Sequence, residues 1–144
     1  MNIKQALKRK NKLAGKLKQL FTAMHANNSV VAGSNRSYDS LTLFEEANQV
    51  MSELVSLKTK IHVANAPIAN LIFEASELKN VVQNLKVMKC DNGRMISYRS
   101  DNPVEYEATI TERKRDEMVS MLEDRLEEIN DQLDQFNAIT QIEE

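Results

Sequence analysis

Two arginines and two tyrosines fall close together late in the chain: Arg94, Tyr98, Arg99 and Tyr106. Guanidinium forks grip phosphate oxygens in pairs and aromatic rings offer flat faces to a base, so this set suits a nucleotide-like anion. The same charges would also keep a sheet edge from pairing with another chain. Arg36 and Tyr38 repeat the combination in a stretch rich in Asn, Ser and Gly. Asn65, Asn137 and Thr140 supply neutral amides and a hydroxyl, and both asparagines stand where a long apolar seam stops. They either line a polar pocket where helix ends meet or simply cap those ends.

The groups that usually carry catalysis or metals are not arranged to do so. His25 and His62 lie apart, with no cysteine or acid at metal-ligand spacing, and the single Cys90 has no histidine near it in sequence. Glu45-Glu46, Glu123-Asp124 and Glu127-Glu128 are neighbouring carboxylates, but in helices this acidic they read as a solvated face. Glycine-rich phosphate loops, serine nucleophile motifs and zinc patterns are absent. The sequence predicts no catalytic residue, no metal site and no cofactor. A lone cysteine also fits a reducing compartment, and no apolar run approaches the roughly 20 residues that span a membrane. A cytoplasmic protein with no membrane contact is expected.

These residues must be held by helices. The chain has 144 residues with only three Gly, two Pro and no Trp, too few breakers for a loop-rich or all-β fold. Met118, Leu122, Leu126, Ile129, Leu133 and Phe136 form one seam on a helix predicted over 112–138, a rod of roughly 40 Å that needs partner helices. Leu43, Ala47, Val50, Leu54, Leu57, Ile61 and Ala64 alternate steps of four and three on a helix over 40–65, started by Asp39 or Ser40 and stopped by Asn65 ahead of Pro67. Ile3, Ala6, Leu7, Leu13, Ala14, Leu17, Leu20, Phe21 and Met24 mark one face of a first helix over 3–26. Asn70 is expected to cap a shorter helix over 70–88. Beyond it the period turns to alternation, and a β-hairpin is predicted over 94–110, with strands 95–99 and 104–110 around Ser100-Asp101-Asn102-Pro103. Thr111 then caps the last helix. The expected architecture is a single mainly α domain spanning 1–144, an antiparallel bundle of three long helices and one shorter helix with an inserted β-hairpin.

Charge is distributed unevenly. The net charge is −2, yet residues 1–38 carry eight basic side chains and no acid, while residues 112–144 carry four basic side chains against eleven acidic ones. A basic first helix could clamp a polyanion, but it lacks the interleaved aromatics of a single-strand binder. Neutralisation of the first helix by the last is the expected arrangement, and nucleic acid ranks below the other partners.

Short stretches along most of the chain resemble the septicolysin-like family, small bacterial and phage proteins of uncharacterised function. They are Asn27-Asn28-Ser29-Val30-Val31-Ala32-Gly33, Ile61-His62-Val63-Ala64-Asn65, Leu71 to Leu78, Thr109-Ile110-Thr111 and Asn137-Ala138-Ile139-Thr140. The family tends to have a polar or basic pair where His62 and Val63 stand, and a Trp where Ala138 stands. The resemblance implies a helical fold with a small β element and no established activity.

Two functions are compatible with these features. One is a non-catalytic homo-oligomer, a dimer or higher, whose partner is first of all itself and whose helix ends and hairpin form intersubunit surfaces. The other is a small-ligand binder that sequesters a nucleotide-like anion between subunits, by analogy with phage proteins that soak up immune nucleotide signals.

Overall fold

The computed structural model describes residues 1–95 and 102–143. It is mainly helical, with four α-helices and one two-stranded antiparallel sheet: α1 (Ile3–Asn27), α2 (Ser40–Ala64), α3 (Ala69–Lys86), β1 (Gly93–Met95), β2 (Val104–Tyr106) and α4 (Glu112–Ile139). Among the described residues no helix is long and apolar enough to cross a membrane. The chain divides into two compact units. One holds Met1–Pro67 and the described residues from Asp134 onward; the other holds Ile68–Leu133.

In the first unit, α1 begins with a reciprocal cap. The Asn2 side chain accepts from the Gln5 amide at 2.8 Å, and the Gln5 side chain accepts from the Asn2 amide at 3.0 Å. Two of the four amides that a helix start leaves free are thereby satisfied. The helix runs antiparallel to α2, since Arg9 pairs with Glu53 and Lys16 with Glu46 at 2.8 Å, residue number falling on one helix as it rises on the other. Leu20, Leu43, Ala47 and Val50 form the core at the loop end of this hairpin, with Leu13, Leu17, Ala23 and Met24 against them. Ile3, Ala6, Leu57, Ile61 and Ile142 form the core at the other end. Each fully buried Leu or Ile contributes about 1.5–3 kcal/mol, so these two clusters hold the hairpin together.

The predicted seam of α2 is the buried one: Leu43, Ala47, Val50, Leu54, Leu57 and Ile61 are all buried. Asp39 rather than Ser40 caps the helix, accepting from the Leu41 amide at 3.0 Å. Asn65 does not end it through a left-handed turn; its φ is −82°. The stop comes instead from a 3-10 turn over Ala66–Ile68 that contains Pro67. Between α1 and α2, Gly33 has φ +84° beside a turn closed by the Ser34 amide on the Val31 carbonyl at 3.0 Å, a left-handed position that favours glycine.

Among the described residues, the ion pairs of the basic first helix fall within the first unit. The carboxylates that meet Arg9 and Lys16 are on α2. The Glu45-Glu46 pair reads as a solvated face in the sequence, whereas antiparallel packing puts Glu46 level with Lys16 and Glu53 level with Arg9.

In the second unit, α3 starts one residue before the predicted Asn70 cap. Its N-cap position is Ile68, with no side-chain hydrogen bond, because the preceding 3-10 turn leads directly into the helix. Val82 and Leu85 of α3 cluster with Val119 of α4, with Met118 and Leu122 against them. Arg125 grips Glu74 with two parallel hydrogen bonds, Nε to Oε1 at 2.8 Å and Nη2 to Oε2 at 3.0 Å, and reaches Glu128 at 3.2 Å. Lys86 meets Glu123 at 2.9 Å. Thr111 caps α4 as expected, its hydroxyl accepting from the Lys114 amide at 3.3 Å.

The bidentate pair sets a pH dependence. The hydrogen bond from Arg125 holds the Glu74 carboxyl below its ordinary value of 4.5, against a smaller opposing effect of desolvation. A folded-state value below the unfolded one means that the pair stabilises at neutral pH and that its contribution is lost as pH falls through the folded value. Glu74→Gln should therefore lower the melting temperature modestly at pH 7, as a half-exposed pair would. Thermal melts of both proteins well below pH 4.5 should coincide. A gap between them that persists there would show that something other than ionisation is lost.

The second strand is shorter than predicted, ending at Tyr106. Gly93 pairs with Tyr106, Arg94 with Glu105 and Met95 with Val104. Pairing stops at Tyr106 because the next free amide, that of Ala108, turns back to the Asn92 side chain at 3.1 Å instead of extending the ladder. Gly93 has φ +87°, which only glycine adopts without strain. Most of the predicted first strand, from Ile96 onward, lies outside the described residues.

Candidate functional site

Three of the residues singled out from sequence, Asn65, Asn137 and Thr140, belong to one end of the first unit. What builds that end is a strap between the two extremes of the chain. The Ile3 amide donates to the Thr140 carbonyl at 3.0 Å, and the Ile142 amide donates to the Met1 carbonyl at 2.9 Å. The Asn2 side-chain amide donates to the Ala138 carbonyl at 3.0 Å, and Asn2 and Gln141 form an antiparallel bridge. Beneath the strap, Ile3 and Ala6 are fully buried against Leu57, Ile61 and Ile142, with Met1, Ala64 and Phe136 closing the cluster. The end of α2 and the end of α4 therefore meet, as the pocket reading requires.

The roles at that junction differ from residue to residue. Thr140 acts through its backbone, accepting from Ile3 and donating to the Phe136 carbonyl at 2.9 Å. Asn137 is half-buried. Asn65 is a helix terminus by its backbone, which donates to the Ile61 carbonyl, yet its side-chain Oδ1 is buried with no hydrogen-bond donor among the described residues. A buried acceptor left unpaired costs about 1–3 kcal/mol.

Two shallow grooves open beside the strap. One, of about 270 Å³, is lined by Met1, Arg9, Glu53, Ser56, Lys60 and Glu143; the other, of about 380 Å³, by Thr59, Lys60, Val63, Ala64, Gln141 and Glu143. Arg9 is already matched by Glu53, whereas Lys60 has no ion-pair partner among the described residues and borders both grooves. The Lys60 ammonium between the two grooves can meet a small anion, whereas the buried Asn65 Oδ1 lines neither groove.

No family model matches the chain. Neither a curated protein nor a solved structure is similar to it. The surfaces themselves must carry the functional argument.

The remaining predicted site residues are placed elsewhere. Arg36 and Tyr38 are exposed in the connection between α1 and α2, within the first unit. Arg94 is in the second unit, on β1 directly opposite Glu105, an opposite-charge cross-strand pair that favours the sheet-edge role. Tyr106 is exposed on β2. Tyr98 and Arg99 lie outside the described residues.

A larger open cleft in the second unit lies beside the hairpin, bordered by Cys90, Asp91, Asn92 and Met95 and by the first turns of α4 from Thr111 to Ser120. Arg115 points across it to the Met88 carbonyl at 3.2 Å and also meets Glu112 and Asp116. Its acids, Asp91, Glu112, Asp116 and Glu117, outnumber Arg113 and Arg115, so the cleft does not favour an anion. Among the described residues no group of three His, Cys, Asp or Glu side chains could hold a metal ion.

Sequence reasoning missed the strap. Its near half was readable, because Asn2-Ile3-Lys4-Gln5 is a capping-box pattern of a polar acceptor followed three residues later by Gln. Its far half was not, since a single Ile142 beyond a polar helix end gives no periodic signal.

Proposed function

We propose that this chain is a non-catalytic, homo-oligomeric interaction protein of the septicolysin-like family, acting in the cytoplasm. Its three long helices and one shorter helix make up an antiparallel bundle with the inserted hairpin, and apolar faces left open on one chain are covered by another. The observation that carries this reading is the apolar surface of α2. Leu41, Phe44, Met51 and Val55 are 74%, 47%, 47% and 57% exposed, and they recur at helical spacing. Scattered exposed apolar residues are ordinary, but a row of them along one helix face marks a surface that binds another helix. Light scattering on the purified full chain should give a mass of at least twice the 16.4 kDa chain. A 16.4 kDa species at every concentration would remove the reading.

A second reading, capture of a nucleotide-like anion, is favoured by one feature of the strapped end. The Lys60 ammonium, which borders both grooves, would meet phosphate; the unpaired Asn65 Oδ1 lines neither groove and would accept from the amino group of a base only once ligand entry opened the end of α2. A ligand present at 100 times its dissociation constant adds about 2.7 kcal/mol of stability, easily visible in a melt. Thermal shifts against mono- and cyclic nucleotides test it. The expected positive is a shift that Asn65→Ala abolishes, and a panel with no shift removes the ligand while leaving the interaction protein in place.

A further inference from the structure

The two flanks of the α1–α2 hairpin differ in kind. On one, Arg9 and Lys16, seven residues apart on α1, pair with Glu53 and Glu46, seven apart on α2. Seven residues are nearly two turns, so the opposite flank is found at the same step: Ala14 and Phe21 on α1, with Leu7 of the same row half-buried against the cluster at the strapped end, and Phe44 and Met51 on α2. Leu41 and Val55 form the next row out on α2. Phe21 is 41% exposed, in keeping with its neighbours across the flank. The row Leu41, Phe44, Asn48, Met51, Val55 steps by three, four, three and four, a coiled-coil seam distinct from the buried seam of the same helix. Asn48 occupies one seam position, where an asparagine lowers stability but fixes register and the number of chains.

We propose that this flank is a two-helix platform that packs face to face on the same platform of a second copy, forming a four-helix layer about a two-fold axis parallel to the helices. The proposal rests on the homo-oligomer reading and names its surface. The occupant is argued from charge. The outer edge of the platform on α1 carries Lys4, Asn11, Lys18 and His25, and residues 1–38 hold no acid at all. The outer edge on α2 carries Glu45, Ser52 and Thr59. Among the described residues Lys18 and Glu45 have no ion-pair partner. Leu20 and Leu43 share one cluster, so Lys18 and Glu45 sit at the same level of the hairpin. A two-fold axis along the helices keeps that level, lays α1 over α2 of the second copy in antiparallel sense, and brings Lys18 beside the second copy's Glu45. An axis across the helices would instead lay α1 on α1 and set Lys4 against Lys18. The small Ala14 leaves room opposite Met51, and the apolar row ends at Lys58 and His62, which bounds the contact.

The test is the association of the full chain by sedimentation equilibrium, with helicity followed by circular dichroism. Met51→Glu puts a charge at the platform centre and should weaken association by at least about a hundredfold. Leu41→Asp, at the most exposed position, is the second variant and should weaken it without loss of helix. Lys18→Glu and Glu45→Lys should each weaken association by about two- to fivefold, and the double reversal should restore it. An oligomer indifferent to both Met51→Glu and Leu41→Asp overturns the platform while the homo-oligomer reading stands. A double reversal that restores nothing overturns the two-fold arrangement, and a monomer at all concentrations overturns the platform together with the reading on which it rests.

Discussion

Ile3→Ala should cost the first unit about 3 kcal/mol, Ile3 being with Ile129 one of the two large side chains that are fully buried. Ile3 is fully buried, and its neighbours come from two distant stretches of sequence, Leu57 and Ile61 from α2 and Ile142 from the strap. Removing three carbons there takes away both transfer free energy and dispersion contacts, and walls contributed by two helices and a strap cannot all move in to fill the space. Its backbone amide would still reach the Thr140 carbonyl, so the loss isolates packing from hydrogen bonding. For a chain of this length 3 kcal/mol corresponds to roughly 10 °C in the melting temperature of that transition. Ile139→Ala is the control: it lies near the same strap but is 70% exposed, and it should change stability by less than about 0.5 kcal/mol. Chemical denaturation of the two variants side by side gives the comparison. Equal losses would mean that the strap, rather than the cluster beneath it, sets the stability of that end.

Why Ile3 matters was only half visible in the chain. The α2 seam could be read directly because all of its members face one way and the charges sit between them; Leu43 through Ile61 are buried as their spacing implied. The α4 seam was read one residue out of phase at its start. Val119, not Met118, is the buried member, and counting from Val119 turns the row into strict steps of three and four through Leu122, Leu126, Ile129, Leu133 and Phe136. Two apolar residues side by side leave such a choice open until a partner helix is known. Caps followed the same rule. Asp39 and Thr111 were legible because a short oxygen-bearing side chain stands before a helical pattern, while α3 begins at an isoleucine that no cap preference would select.

The candidate site was less legible than the fold, for a related reason. Local chemistry picked out arginines and tyrosines, which are recognisable one by one. The strap depends on residues 2 and 141 meeting, a pairing set by where two helices end and not by any feature near either residue. The second seam of α2 was hidden for the opposite reason: Leu41, Phe44, Met51 and Val55 are interleaved with the cleaner buried row, so the helix looked satisfied once that row had been found. Only exposure separates the two rows.

Asn65 decides whether the strapped end is built for a ligand, because its two roles make opposite demands. Its Oδ1 is buried without a donor, so as the protein stands alone the amide is a cost. Asn65→Leu keeps much of the volume and removes the unpaired acceptor; the backbone bond to Ile61 does not depend on the side chain, and φ of −82° suits any residue. The variant should therefore be as stable as the parent or more stable by about 1 kcal/mol. Asn65→Asp should lose more than that at neutral pH, since it replaces a neutral acceptor with a desolvated carboxylate, and acidification should recover part of the loss. A cap or a packing asparagine would give the reverse result for leucine, a loss of about 1 kcal/mol. Stability gained together with any nucleotide-dependent thermal shift lost is the signature of a group held unsatisfied for a ligand, and denaturation curves at two pH values plus one ligand titration measure all three. Stability gained with no ligand response in the parent would leave Asn65 an unrepaired local defect, and the anion reading would fall with it.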